Sequence, residues 1–317
     1  MKLYFIINPV AGNGFGLKIW KKIENLLIQQ NISFSALYTK FAGHASLLAE
    51  EIAKRNKQAV AVVAVGGDGT IHEVVQGANR YEHVSVGYIP AGSGNDFSRG
   101  FAIPKKPLQA AKQLIGLLDR KHFPKFDIGL FQNKKFDRGT FVNNFGCGFD
   151  AAISMKVNRS RLKRILNRLA LGKFVYVCYL LQQLFLYKPS KVTIQIDEKS
   201  YEFEKVWLVT VSNQPYYGGG MKIAPSANLS DGKLDVICVH NISRMKILFL
   251  FVTVFWGGHI KMKEVSVLTG KRIRISPARA LPQHADGEFA GYGPVSLAVK
   301  PRGIAVLTEG SAEDFGA

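Results

Sequence analysis

The chain has 317 residues, 47% of them hydrophobic, and carries 42 Lys and Arg against 23 Asp and Glu, a net charge of +19. That length and apolar content suit a globular protein with a full core, and two domains are the natural expectation. The charge favours an anionic partner, such as nucleic acid, anionic lipid or nucleotide. Three widely spaced cysteines, Cys147, Cys178 and Cys238, exclude a disulfide scaffold and lack metal-ligand spacing, which points to a reducing, intracellular setting.

The first hundred residues repeat one theme. An apolar run at 3–7 leads into the Gly-rich stretch 8–16, then a helical pattern with Ile19, Ile23, Leu26 and Leu27 on one face. Strand candidates follow at 34–38, 59–65 and 84–89, alternating with helices at 45–55 and around Ile71, Val74, Val75 and Ala78. Such alternation implies a parallel sheet covered on both faces. Only five apolar residues separate Lys2 from Asn8-Pro9, too few for a signal-peptide core. After about residue 105 the pattern changes to short strand-like segments at 191–196, 206–212, 234–240, 272–275, 295–299 and 303–308. Two stretches, 159–187 and 245–259, read as helical, and neither of their apolar runs reaches the roughly 18–20 residues of a spanning helix. The expected architecture is a doubly wound parallel α/β domain over 1–125 and a mainly antiparallel β domain with inserted helices over 126–299. The segment 300–317 is free to belong to either.

Three glycine turns stand where strands end: "NPVAGNG" (8–14), "GGDGT" (66–70) and "AGSGND" (91–96). Glycine lets backbone N–H groups approach a ligand, and a following helix N-terminus adds positive partial charge, so three turns together suit a phosphate cradle. Thr70 and Glu73 have capping-box spacing. No G-x-x-x-x-G-K-[ST] occurs, which excludes a P-loop enzyme. "GNGFGLK" resembles a dinucleotide fingerprint, but Thr39-Lys40 stand where an acid is needed. An acid among phosphates, here Asp68, makes sense if a cation or a transferable proton accompanies it, as in phosphoryl transfer. Downstream, "LSDGKLD" holds Asp231 and Asp235, and "HADGEF" holds Asp286 and Glu288. Asp-Gly is commonly a β-turn, but the Asp286/Glu288 pair also suits Mg²⁺ or general-base work.

These blocks, with "YTKFAGHA", "FDIG", "FVNNFGCGFDAAI" and "YYGGGMKIAPSANLSDGKLDVICV", run in one order from residue 8 to 288. The chain resembles the diacylglycerol kinase-related lipid kinases, soluble bacterial enzymes similar also to sphingosine kinases and sharing "GGDGT" with NAD kinases. The resemblance implies ATP bound between two domains, with the C-terminal segment returning to the first. It implies nucleotide contacts from Asn8, Pro9, Val10, Ala11, Gly12, Thr39, Gly66, Gly67, Asp68, Gly69, Thr70, Ile71, His72, Ser93 and Asn95. At position 93 the family more often has Thr, and Ser keeps the hydroxyl. It implies a structural Mg²⁺ on Asp231 with the backbone carbonyls of Asn228 and Lys233. It also implies an acidic, metal-linked network of Asp68, Asp127, Asp286 and Glu288 at the reacting phosphate. Glu288 is the expected base and Asp286 the second choice.

Basic residues concentrate at 105–135, 156–173 and 244–274, and the middle group leads into "FVYVCYLLQQLFLY". This pattern suits peripheral binding of a cytoplasmic enzyme to the anionic inner face of a membrane, although a core helix with a solvated basic face reads equally well. "ILFLFVTVFWGG" (247–258) is either a wall of a lipid pocket or core. No nucleic-acid module is present, and a homodimer stays open. The leading expectation is transfer of the ATP γ-phosphate to a lipid hydroxyl, diacylglycerol first. Competing readings are a kinase of a sphingoid base, phosphatidylglycerol or NAD, a silent lipid-binding protein, and a basic nucleic-acid binder.

Overall fold

The computed structural model describes residues 1–120, 122–159 and 172–310. In chain order the first elements are β1 (Lys2–Ile7), α1 (Ala11–Gln29), β2 (Ser35–Tyr38), α2 (His44–Arg55), β3 (Val60–Gly66), α3 (Asp68–Ala78), β4 (Val84–Pro90), α4 (Asp96–Gly100) and α5 (Pro107–Gly116). The strands lie in the order β2-β1-β3-β4, all parallel. Alternation along β3 explains the double winding. Val60, Val62 and Ala64 pack with Leu48, Ile52, Ile71 and Val74 of α2 and α3. Ala61, Val63 and Val65 pack with Ile19, Trp20, Ile23 and Leu114 of α1 and α5. A strand apolar on both faces is what a sheet sandwiched by helices requires.

The rest is a mixed but mostly antiparallel region: β5 (Lys125–Asn133), β6 (Gly139–Phe141), β7 (Asn144–Gly148), α6 (Phe149–Arg159), α7 (Gly172–Leu186), β8 (Ser190–Ile196), β9 (Lys199–Ser212), β10 (Tyr216–Tyr217), β11 (Met221–Lys222), β12 (Leu234–His240), α8 (Arg244–Thr253), β13 (Val265–Gly270), β14 (Arg272–Pro277), β15 (Pro282–Ala285), β16 (Glu288–Tyr292) and β17 (Val295–Val306). A third core holds it, built from Phe145, Val209, Val211, Val236, Ile275 and Leu297 among others. The expected strands at 295–299 and 303–308 are one long strand. β17 pairs antiparallel with β14 and β5, then parallel with β4 through Ala305 and Val306, so both halves share one sheet.

Local structure departs from expectation in two places. The Thr70/Glu73 capping box does not form. α3 begins at Asp68, and the Glu73 carboxylate instead accepts the N–H groups of Gly43 (2.8 Å) and Ala45 (3.0 Å), capping α2. A neighbouring helix start offered two free donors, and those outcompeted the local bond. The helix expected at 245–259 ends at Thr253 and continues as two 3₁₀ turns, Val254–Trp256 and Gly258–Lys261, which Gly257 separates at φ 78°. Of the helix expected at 159–187, the described part from 172 is helical as α7, and residues 160–171, with the centre of the basic run at 156–173, lie outside the described residues. No described helix is long and apolar enough to cross a membrane.

Candidate active site

The three glycine turns meet at one edge because β1, β3 and β4 are parallel neighbours that end together. A Cβ on Gly12, whose φ is 55°, would lie 2.6 Å from the Ala91 carbonyl, and one on Gly92 would lie 2.6 Å from Gly67 Cα. Glycine is therefore required at both places, and the turns form one continuous backbone surface. Asn8 Nδ2 donates to Thr70 Oγ1 (3.2 Å), and Ala91 N donates to Gly66 O (2.6 Å), tying the first turn to the second and the second to the third. Pro9, Val10 and Ala11 follow on the rim, with Val10 75% exposed. Thr39 N donates to Ile7 O, placing Thr39 at the end of β2 beside the first turn. Ser93 is exposed at the tip of the third turn. Asn95, at φ 53°, spends its side chain on Gly92 O and the Tyr88 hydroxyl, which makes it a clamp within its turn. Ile71 is buried in the core, so its side chain faces away from the turns.

Asp68 points from the start of α3 to the start of α4. Its Oδ1 accepts Phe97 N–H at 3.1 Å. Burial and then the charge of Asp96 push its carboxyl up to about 6, while backbone N–H groups of residues 95–97 pull the other way. Asp96 accepts from Arg99 Nη1 (2.8 Å) and from Gly219 N (2.7 Å), so the third turn is bonded to "YYGGG" across 123 residues. Arg99 Nη1 also donates to Gly94 O.

The second acidic pair divides its labour. Asp286 and Gly287 are the two central residues of the β15–β16 hairpin, both with positive φ (50° and 88°), as an Asp-Gly turn allows. The Asp286 carboxylate is fully engaged: Oδ1 accepts from Asn143 N and Asn144 N (2.8 and 3.0 Å), Oδ2 from Val142 N and His72 Nδ1 (2.9 and 2.8 Å). His72 thus faces the hairpin from α3, where it is buried, and not the glycine cradle. Burial lowers the His72 imidazole, but the Asp286 bond and charge, with Glu288 and Glu73, outweigh it and raise it overall. Glu288, first in β16, is exposed, and its Oε1 lies 3.5 Å from where a Gly69 Cβ would stand. The two acids of "DGE" therefore do not converge: one is consumed in structure, and the other overhangs the GGDGT turn.

A family model for the diacylglycerol kinase catalytic domain matches residues 2–128, and one for the YegS C-terminal NAD kinase beta sandwich-like domain matches 143–308. The Bacillus subtilis (strain 168) protein named "Putative lipid kinase YtlR" is 36% identical over 96% of this chain and 99% of its own. The chain belongs to the diacylglycerol kinase-like lipid kinase family. A diacylglycerol kinase of Mycobacterium tuberculosis (strain H37Rv) is 29% identical over 96% of this chain and 94% of its own. In fold, a crystal structure of a "putative diacylglycerol kinase from Bacillus anthracis str. Sterne" matches with a TM-score of 0.76 at 24% identity, over 97% of this chain and 95% of that one.

The remaining acids of this lipid kinase family member lie apart. Asp127 is buried on β5, and its oxygens accept from Gly232 N and Arg302 N, both at 2.7 Å, while its own N–H donates to Leu229 O. Burial raises its carboxyl, and the nearby Asp231 charge adds to that. Asp231 is exposed and takes Lys233 N–H (2.9 Å), and Asn228 Oδ1 takes the Ser230 N–H and hydroxyl. Asp127 therefore knits β5, the 228–233 loop and β17 together, and does not join Asp68. Among the described residues no three His, Cys, Asp or Glu side chains cluster to hold a metal, so the expected four-acid network is not assembled. Two smaller groupings do fit a hard divalent cation, because each offers oxygen donors and excess negative charge. They are Asp68 with Asp96, and Asp231 with Asp127 beside it.

Several residues without a legible signal in the sequence are central in the fold. Asp96, Arg99 and Gly219 carry the link just described. His284 Nε2 meets Asp150 Oδ2 at 3.2 Å while its Nδ1 accepts Gly287 N–H, so a second buried His–Asp pair supports the hairpin. Asp150 and His284 both lie in quoted family blocks, but nothing in their spacing announces a pair 134 residues apart. A groove of about 480 Å³ lined by Arg138, Arg272, Arg274 and Ser296 lies elsewhere and includes none of the residues above.

Proposed function

We propose that the protein is an ATP- and Mg²⁺-dependent lipid kinase that phosphorylates a lipid hydroxyl, diacylglycerol being the first candidate. The observation that carries this is the overhang of Glu288 above Gly69, in a cradle whose glycines leave no room for Cβ atoms at Gly12 and Gly92. Backbone N–H groups of the three turns would hold the nucleotide phosphates, helped by the N-terminus of α3. Glu288 takes the proton from the acceptor hydroxyl, the oxygen attacks the γ-phosphorus, and ADP leaves. Asp68 would hold Mg²⁺, whose charge neutralises the phosphates when it is bound. Asp231 with the carbonyls of Asn228 and Lys233 would hold a second, structural ion that fastens the 228–233 loop against Asp127. Asp286 and His72 position Glu288 by fixing the hairpin that carries it. In this reading residues 1–125 are the nucleotide half and 126–299 the acceptor half.

Diacylglycerol leads because relatives spanning nearly the whole chain bear that name. The test is transfer of labelled γ-phosphate with Mg²⁺ in mixed micelles, offering diacylglycerol, a sphingoid base, phosphatidylglycerol and NAD in parallel. Label in the diacylglycerol product, lost in Glu288→Gln, is the expected result. Label only in NADP, or in no acceptor, refutes it.

A further inference from the structure

α8 has two apolar faces. Ile247, Leu250 and Val254 are buried at 4%, 5% and 2% exposure. Met245, Phe249 and Val252 are 73%, 64% and 54% exposed, at spacings of 4 and 3 residues that align them on one stripe of α8, and Trp256, in the 3₁₀ turn that continues the helix, is 63% exposed. Phe255 (54%) sits beside the stripe's end. Arg244 Nε donates to Leu184 O, so the end of α7 meets the start of α8, and the next two residues of α7, Phe185 and Leu186, are exposed at 70% and 60%. A monomeric surface seldom spends this many large apolar side chains on water without a partner.

The surroundings specify the partner. From 241 to 263 the sequence has no Asp or Glu, and Arg244, Lys246, Lys261 and Lys263 frame the stripe. The one acid at its border, Glu264, is buried and paired with Lys246 at 2.8 Å. An apolar ridge with aromatic tips, bordered by Lys261 and Lys263 and by an acid already neutralised by Lys246, complements an anionic bilayer: the rings enter the interface and the ammonium groups of Lys261 and Lys263 meet phosphate. The ridge is also wired to the candidate active site. Gly257 packs on Pro225, His259 Nε2 bonds Ile223 O (2.8 Å), and the same segment reaches Asp96 through Gly219.

The geometry points to the exposed stripe Met245, Phe249 and Val252, continued by Phe255 and Trp256, with Phe185 and Leu186, as the surface that inserts into an anionic lipid bilayer and delivers the kinase to its acceptor. The delivery part of this inference rests on the lipid kinase reading, and the insertion part does not. Alternating burial decides it, since the run 247–258 was readable either as core or as pocket wall. Half of it is core, and the other half faces outward.

Trp256 reports directly, because Trp20 and Trp207 are buried at 0% and 2% exposure. Vesicles of equal parts phosphatidylcholine and phosphatidylglycerol should blue-shift Trp256 emission, and brominated acyl chains should quench it. The Met245→Asp/Phe249→Asp variant should bind these vesicles at least about tenfold more weakly. It should also lose activity on vesicle-embedded acceptor while keeping activity on a short-chain, monomerically dissolved diacylglycerol. Unchanged Trp256 emission with vesicles overturns the proposal, as does unchanged binding by the variant. So does sedimentation of a dimer whose interface shields Trp256. If no acceptor is phosphorylated yet Trp256 still enters vesicles, the insertion surface stands and the lipid kinase reading falls. If the wild type phosphorylates dissolved acceptor but ignores vesicles, the reverse holds.

Discussion

His72 Nδ1 and Asp286 Oδ2 lie 2.8 Å apart although 214 residues separate them, and both side chains are buried. Through this contact the helix that opens the glycine cradle grips the hairpin that carries Glu288. Asp286 adds three backbone N–H groups from the 142–144 segment. A carboxylate with four donors has no lone pair to spare for an acceptor proton.

Two neighbouring acids should therefore fail differently. Asp286→Asn turns an NH₂ toward backbone donors and leaves buried groups unpaired, which should cost about 3 kcal/mol of stability. Glu288→Gln, at an exposed site, should leave the melting temperature within about a degree or two and cut kcat at least about a hundredfold. Calorimetry and turnover on both variants check this. A cool-melting Glu288→Gln protein, or a fully active Asp286→Asn protein, reverses the assignment.

The His72 contact should also be visible in pH. Its imidazole is raised above the ordinary value of 6.5, so the folded state holds the proton more tightly than the unfolded state. That stabilisation is complete below pH 6.5 and fades as pH rises through the raised value. In urea unfolding, the stability gap between wild type and His72→Gln should be larger at pH 6 than at pH 9. An equal gap at both would show that His72 is bound neutral.

Asp68 carries the opposite kind of evidence, a carboxylate held where it is costly. Its carboxyl is pushed from 3.8 up to about 6 by burial and Asp96. The folded state therefore binds the extra proton between those values, and stability falls as pH rises from about 4 to about 6. Without Mg²⁺, Asp68→Asn should gain up to about 3 kcal/mol over wild type at pH 8, and the gain should vanish near pH 4. The same variant should be inactive. An Asp68→Asn protein less stable than wild type at pH 8 would mean that the Phe97 N–H bond outweighs the buried charge.

Gly12→Ala tests the cradle. Its Cβ would enter the Ala91 carbonyl at 2.6 Å from a backbone at φ 55°. Because the site is on the surface, the damage should fall mainly on nucleotide affinity, with KM for ATP rising at least about tenfold. Nucleotide titration followed by calorimetry separates this from unfolding.

Glu73→Ala is the structural control. It removes the acceptor for Gly43 N and Ala45 N and should cost about 1 kcal/mol without changing KM for ATP. A rise in KM there would place Glu73 in the nucleotide site.

What the sequence determined by itself was the periodic and the local. Apolar runs ending in glycine located β1, β3 and β4 within a residue or two, and the α/β alternation made them parallel neighbours, so the convergence of the three turns followed. Asp231 and Asp286 were legible as turn residues because Asp-Gly tolerates positive φ. Only the tertiary structure decided which acid is free to act. Asp68, Asp127, Asp286 and Glu288 have the same chemistry on paper, and their roles depend on donors supplied from elsewhere in the chain. Asp127 is claimed by Gly232 and Arg302, Asp286 by His72 and the 142–144 segment, and Glu288 by none of these. The same holds for Glu73, whose capping partner is a different helix from its own, and for the run at 247–258. Hydropathy is high on both faces of that run, so only its packing neighbours separate the buried stripe from the exposed one.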